Sequence, residues 1–218
     1  MRAALVVVAL GACAAPASPT LENATAPSTR LAPRVVVAGP YGLAAEHLPA
    51  ITAAGTIVIA VRDSDGDRGL PNLTLVERGR DDAERARHVV LSVAEADAFL
   101  PDASGHNPAL AARIDRANAW LDARRAAALV VLSQADRTRA TGGGVVVTWQ
   151  ASHLRIVDGA RVVVDRATPA AWRPPQDCVR TAYLGGVARA HRLAVITIAY
   201  ESEPGCPPLL EQTHVVTW

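Results

Sequence analysis

The chain has 218 residues, half of them apolar, with 22 basic against 21 acidic side chains, and every basic one is an arginine. That length and apolar fraction suit one or two globular domains and exclude a collagen-like or wholly disordered chain. The near-zero net charge lacks the cationic excess that nucleic-acid binding demands, and no apolar run reaches the roughly 20 residues of a membrane-spanning helix.

Met1-Arg2, the apolar run Ala3 to Leu10 and the small residues that follow read as a short basic region, an apolar region and a cleavage site for export. Leu10-Gly11-Ala12-Cys13 resembles the lipobox of bacterial lipoproteins. The resemblance implies a signal peptide over 1–12, diacylglyceryl modification of the Cys13 thiol, and acylation (palmitate-type) of the new amino terminus. Two or three acyl chains hold a protein durably to a bilayer, where one does so only marginally. The alternative is an ordinary secretory signal cut near Ala15 or Ala17, with Cys13 incidental. Loss of Arg2 leaves the mature chain formally neutral, without a global field to steer a charged partner. Ala14, in place of an Asp after the lipidated cysteine, points to the outer rather than the inner membrane.

Residues 13–33 are rich in Ala, Pro, Ser and Thr and carry too little large apolar surface for a core, so they read as a tether. A single domain is expected over 34–218. Val35 to Val37 is strand-like, and Thr56 to Val61 and Asn72 to Val76 flank a Gly- and Asp-rich stretch as a long-looped hairpin would. Within this region, Leu48-Pro49-Ala50-Ile51-Thr52-Ala53-Ala54-Gly55 resembles the segment that opens a blade of TolB-type β-propellers. It occurs once, so it implies one similar hairpin and no propeller. The charge run Arg78 to Arg87 reads as a solvated loop or frayed helix, with Arg87 to Leu91 a strand after it.

Asn107-Pro108 offers an N-cap with proline at the first helical position, and Leu110, Ile114, Ala117 and Leu121 recur at helical spacing. This predicts one principal amphipathic helix, with Trp120 at the edge of its apolar stripe. After Gly142-Gly143-Gly144 the strand pattern returns over Val145 to Trp149. His153 to Val157 and Ala160 to Asp165 bracket the turn pair Asp158-Gly159, and Leu193 to Tyr200 and His214 to Trp218 complete the strands. The terminal aromatic is common in outer-membrane barrels, but Val35 to Val37 and Leu193 to Ile198 lack their strict alternation. The expected fold class is α+β: a mainly antiparallel β-sheet with one helix packed on it, after the signal and tether.

Cys178 and Cys206 form an even pair in an exported chain, and the polar stretch Arg189-Ala190-His191-Arg192 lies near their midpoint. A hairpin turning there would place Tyr200 near Leu184 and Ile198 near Gly186, with the cysteines bridged at its open end, unless Gly185-Gly186 marks a bulge that slips the register by one. Two free thiols are the rival reading, and a zinc site lacks CxxC spacing. Asp63, Asp65 and Asp67 alternate as calcium ligands do, but Arg68 stands where the turn glycine belongs and Thr74 where the closing Glu belongs, so they form a weak calcium candidate only. No G-x-S-x-G, H-E-x-x-H or P-loop is present, Ser104 and His106 are too close in sequence to act as nucleophile and base, and no cofactor motif stands out. The expectation is a lipid-anchored envelope protein acting as a non-catalytic binding or structural module. Its partners are the membrane and an unidentified protein or small molecule, with no nucleic acid. The alternative is a periplasm-facing hydrolase with a dispersed site, which a single cleft gathering His and carboxylate groups would favour.

Overall fold

The computed structural model describes residues 31–38, 42–63, 72–99, 107–172, 179–202 and 211–218. Cys13, Cys178, Cys206, Asp65, Asp67, Ser104 and His106 lie outside these, as do nearly all of the signal and tether. Among the described residues the fold is antiparallel β-sheet with one α-helix. No helix there is long and apolar enough to cross a membrane.

Strands β1 (Arg34–Ala38) and β2 (Gly42–Glu46) pair as a ribbon. Next come β3 (Ala50–Ile51), β4 (Ile57–Val61), β5 (Leu73–Arg78) and β6 (Glu84–Leu91). They pair in chain order, and β7 (Ala127–Ala128) closes the sheet beside β3. The β3–β4 connection turns through Gly55 at φ 80°, a left-handed conformation that glycine adopts without steric cost. The expected hairpin is therefore present, within a sheet of five strands.

The charge run is the main correction. Instead of a loop or helix it is the end of β5, a tight turn over 79–83 and the first half of β6. Its charges pair locally, Arg85 with Asp81 at 2.6 Å and Arg87 with Glu84 at 2.8 Å. Because β6 is an edge strand, exposed charge there is what discourages pairing with another chain.

Helix α1 (Pro108–Ala123) has the predicted N-cap, with the Leu110 N–H donating to Asn107 Oδ1 at 3.0 Å. Its buried residues are the predicted stripe: Leu110, Ile114, Ala117 and Leu121. They pack with Val35, Val58, Leu75 and Leu91 on one face of the β3–β7 sheet. Asn118 acts as a strand surrogate for β1, accepting from the Val35 N–H at 2.8 Å and donating to the Val35 carbonyl at 3.1 Å.

Beyond the helix, β8 (Val130–Val131) and β9 (Ser133–Asp136) continue an extended run that began at β7. A meander follows: β10 (Arg139–Gly142), β11 (Val145–Gln150), β12 (His153–Asp158) and β13 (Arg161–Ala167), with β9 at its edge. Along β11, Val145, Val147 and Trp149 are buried and their neighbours are not, the alternation of a sheet with one solvated face. The β12–β13 turn residues are Gly159 and Ala160, one position later than predicted, with Gly159 at φ 62°.

The last sheet holds β14 (Val179–Ala190), β15 (Leu193–Ser202) and β16 (Gln212–Thr217), with β8 beside β14. It is the central layer. Leu193, Val195 and Val215 pack against Ile57, Ile59 and Val76 of the β3–β7 sheet, while Ala194, Ile196, Ile198 and Val216 pack against Val147, Leu154 and Ile156 of the β9–β13 sheet. Burial on both faces explains why Leu193 to Tyr200 reads as a nearly continuous apolar run.

The β14–β15 hairpin turns at His191-Arg192 as expected. Its register differs from expectation: Tyr200 pairs with Ala182 and Ile198 with Leu184. Two shifts cause this. The turn is centred half a residue earlier than the cysteine midpoint, and a bulge at Gly185 slips the ladder once more.

Candidate functional site

The β5–β6 turn is closed by the Gly79 N–H donating to the Ala83 carbonyl at 2.8 Å, and it carries Asp82 at φ 64°, a conformation that Asp tolerates. The turn reaches across to the outer edge of β16. There, Asp82 Oδ1 accepts from the Val215 N–H at 2.8 Å and from Arg78 Nη1 at 2.9 Å. Asp82 Oδ2 lies 2.8 Å from His214 Nδ1. An unpaired edge N–H is thus capped by a carboxylate from a different sheet.

Burial pushes the Asp82 carboxyl up, but the hydrogen bonds from His214 and Val215 and the charge of Arg78 outweigh it and hold it below the usual carboxylate range. An ionised carboxylate only accepts, so the proton of His214 sits on Nδ1 and Nε2 is the free ring nitrogen. Trp172 stacks on the imidazole, with centroids 4.0 Å apart and planes 9° apart.

His214 lines a cleft of about 720 Å³ at the open end of the interface between the β3–β7 and central sheets. Ile59 and Val61 supply apolar wall, Arg62 and Glu211 charge, and Arg78, Gln212 and His214 the polar interior. Among the described residues, three buried side-chain polar atoms lack a hydrogen-bond partner: Arg78 Nε, Gln212 Oε1 and His214 Nε2. All three belong to this one cleft. Each unpartnered group costs its desolvation, so their coincidence is a property of the site and not a scatter of defects.

The arrangement can orient a base and bind polar groups. Asp82 fixes the His214 ring as the carboxylate of a Ser-His-Asp triad does, but no described hydroxyl or thiol lies within hydrogen-bond reach of Nε2. A second pair, His153 Nε2 to Asp165 Oδ1 at 2.6 Å, sits on the exposed β12–β13 surface, outside this cleft.

The calcium candidate is met only at Asp63, whose backbone N–H donates to Asn72 Oδ1 at 2.7 Å and extends the β4–β5 hairpin. Among the described residues, no group of three His, Cys, Asp or Glu side chains could hold a metal ion. Sequence reasoning missed Asp82, Arg78, Gln212 and His214 as a site, because it placed the first two in a solvated charge run and His214 in an ordinary terminal strand, with Gln212 outside any expected element. The one sequence hint was a His at an inward position of that strand, which demands a buried partner.

No family model, curated protein or solved structure matches the chain.

Proposed function

We propose that the chain is a lipid-anchored protein of the bacterial envelope, held through acylated Cys13 and more suited to the outer than the inner membrane. Residues 1–12 are its signal peptide and 13–33 its tether. The folded body is a non-catalytic binding module whose ligand site is the cleft between β4, β5 and β16. The observation that carries the binding reading is the gathering of three buried, unpartnered polar atoms in that cleft. The anchoring reading rests on Leu10-Gly11-Ala12-Cys13 at the end of an apolar leader.

Cys13→Ser in a bacterial host tests the anchor. The parent should take up radiolabelled fatty acid and partition into the detergent phase, and the variant should do neither. A variant that partitions like the parent overturns the lipoprotein reading.

The Asp82–His214 pair favours a second reading, a hydrolase in which His214 activates water. Turnover of ester, amide or phosphoester substrates that is lost in a folded His214→Ala variant would establish it and displace the binding module.

A further inference from the structure

We propose that the cleft binds the oxyanion of a phosphate- or carboxylate-bearing ligand, with Arg78 as its principal anchor. This rests on the binding-module reading and names the ligand class.

Arg78 Nη1 is committed to Asp82, donating to both its carbonyl at 3.1 Å and its carboxylate at 2.9 Å. The opposite edge of the guanidinium carries Nε and Nη2. Nε is buried without a partner, and Nη2 makes no bond to a described residue. Such an edge is a planar two-donor fork that matches the paired oxygens of a carboxylate or phosphate. Arg78 lines the cleft, and a permanent cation whose fork has no partner calls for an acceptor that carries charge.

Two neighbours fit the same guest. His214, with its side chain only 10% exposed, offers Nε2. Nε2 accepts from a ligand hydroxyl when the ring is neutral and donates to a ligand oxygen when it is protonated. Gln212 presents either its oxygen or its NH₂ by a half-turn of the amide. Of the acidic groups nearby, Asp82 already accepts from His214, Val215 and Arg78, Glu84 is paired with Arg87, and exposed Glu211 shares the cleft lining with the further cation Arg62. The cleft therefore offers the Arg78 fork as a fixed donor, beside two groups, His214 Nε2 and the Gln212 amide, that can take either role. Ile59 and Val61 leave an apolar wall for the remainder of the ligand.

The test is a tryptophan-fluorescence titration of the full chain in detergent, with Trp172 as the reporter stacked on His214. Inorganic phosphate and citrate are the probes, in separate arms, at ionic strength held constant with sodium chloride. A saturable change is expected in at least one arm, and the tighter arm assigns the ligand as phosphoryl or carboxyl. Arg78→Lys retains a charge for Asp82 but loses the fork, so it should weaken binding about tenfold or more. Gln212→Leu, which leaves the Asp82 contacts untouched, should weaken it as well. Thermal melts establish that both variants are folded.

Absence of a saturable change in both arms, or equal affinity in folded Arg78→Lys and Gln212→Leu, overturns the proposal. Glucose serves as a neutral polyol probe. If it alone saturates the signal and loses it in Gln212→Leu, the anion assignment is wrong and the binding module stands. If none of the three probes acts, the anion assignment falls and the binding reading loses its support with it.

Discussion

Asp82 joins two sheets through one carboxylate, so its removal strands several groups at once. Asp82→Ala would leave the Val215 N–H and His214 Nδ1 without their acceptor, and Arg78 Nη1 with only the backbone carbonyl of residue 82. A loss of about 2–4 kcal/mol in unfolding free energy is expected, read by urea denaturation. The pH dependence follows from the same contacts. The carboxyls of Asp82 and Glu77 are both held below their ordinary values: burial raises each, and hydrogen bonds and neighbouring arginines more than compensate. Glu95, bound by Arg113 and Ser92, is lowered to about 2. A group lowered on folding stabilises fully above its unfolded value, about 3.9 for Asp and 4.3 for Glu, and stops doing so as pH falls through the folded value. These carboxyls should therefore make the melting temperature fall steeply below about pH 4, beyond a shallower decline that starts below about pH 6.5 as His88, held low by burial and by Arg116 and Arg124, resists protonation in the fold. Asp82→Asn should give a shallower acid limb than the parent; an unchanged limb would show that Asp82 contributes nothing to it.

At the scale of elements, what could be read in advance tracks how local each signal is. The helix announces itself through Asn107, Pro108 and a four-residue apolar stripe, and all of these act within one segment. Ile114→Asp should cost several kcal/mol by burying an unpaired charge, whereas exposed Arg116→Ala should stay within about 0.5 kcal/mol. The β14–β15 turn was legible as a polar break between apolar runs, but its strain was not. His191 and Arg192 both adopt positive φ, 46° and 59°, where most side chains pay a steric cost. Replacing them with Asn-Gly, the favoured pair for such turns, should stabilise the protein by about 1–2 kcal/mol in thermal melts. Other features depend on a partner in another element and left no local mark. The pairing of Asp82 with a histidine 132 residues away and the edge position that makes sense of the β6 charges are of this kind, whereas the bulge had its local mark in Gly185-Gly186.

For the whole molecule, the decisive segment is 127–136. It passes along three sheets in turn, as β7 beside β3, β8 beside β14 and β9 beside β10. Between these contacts, Leu129 drops into the core shared by the β3–β7 and central sheets, and Leu132 into the core between the central and β9–β13 sheets. The central sheet has an apolar core on each face, so neither outer layer has an interior of its own on that side. Layers coupled in this way should open together, because loss of one core exposes a face of the sheet that the other needs. Leu132→Ala, at a site 3% exposed, should cost about 2–5 kcal/mol through the cavity it leaves. The informative readout is where that cost is felt. In amide hydrogen exchange, protection should fall by a similar factor in β11, beside the cavity, and in α1, on the far side of the β3–β7 sheet. A fall confined to β9–β13, with α1 unchanged, would mean that the layers unfold as separate units and that the 127–136 segment is only a connection between them.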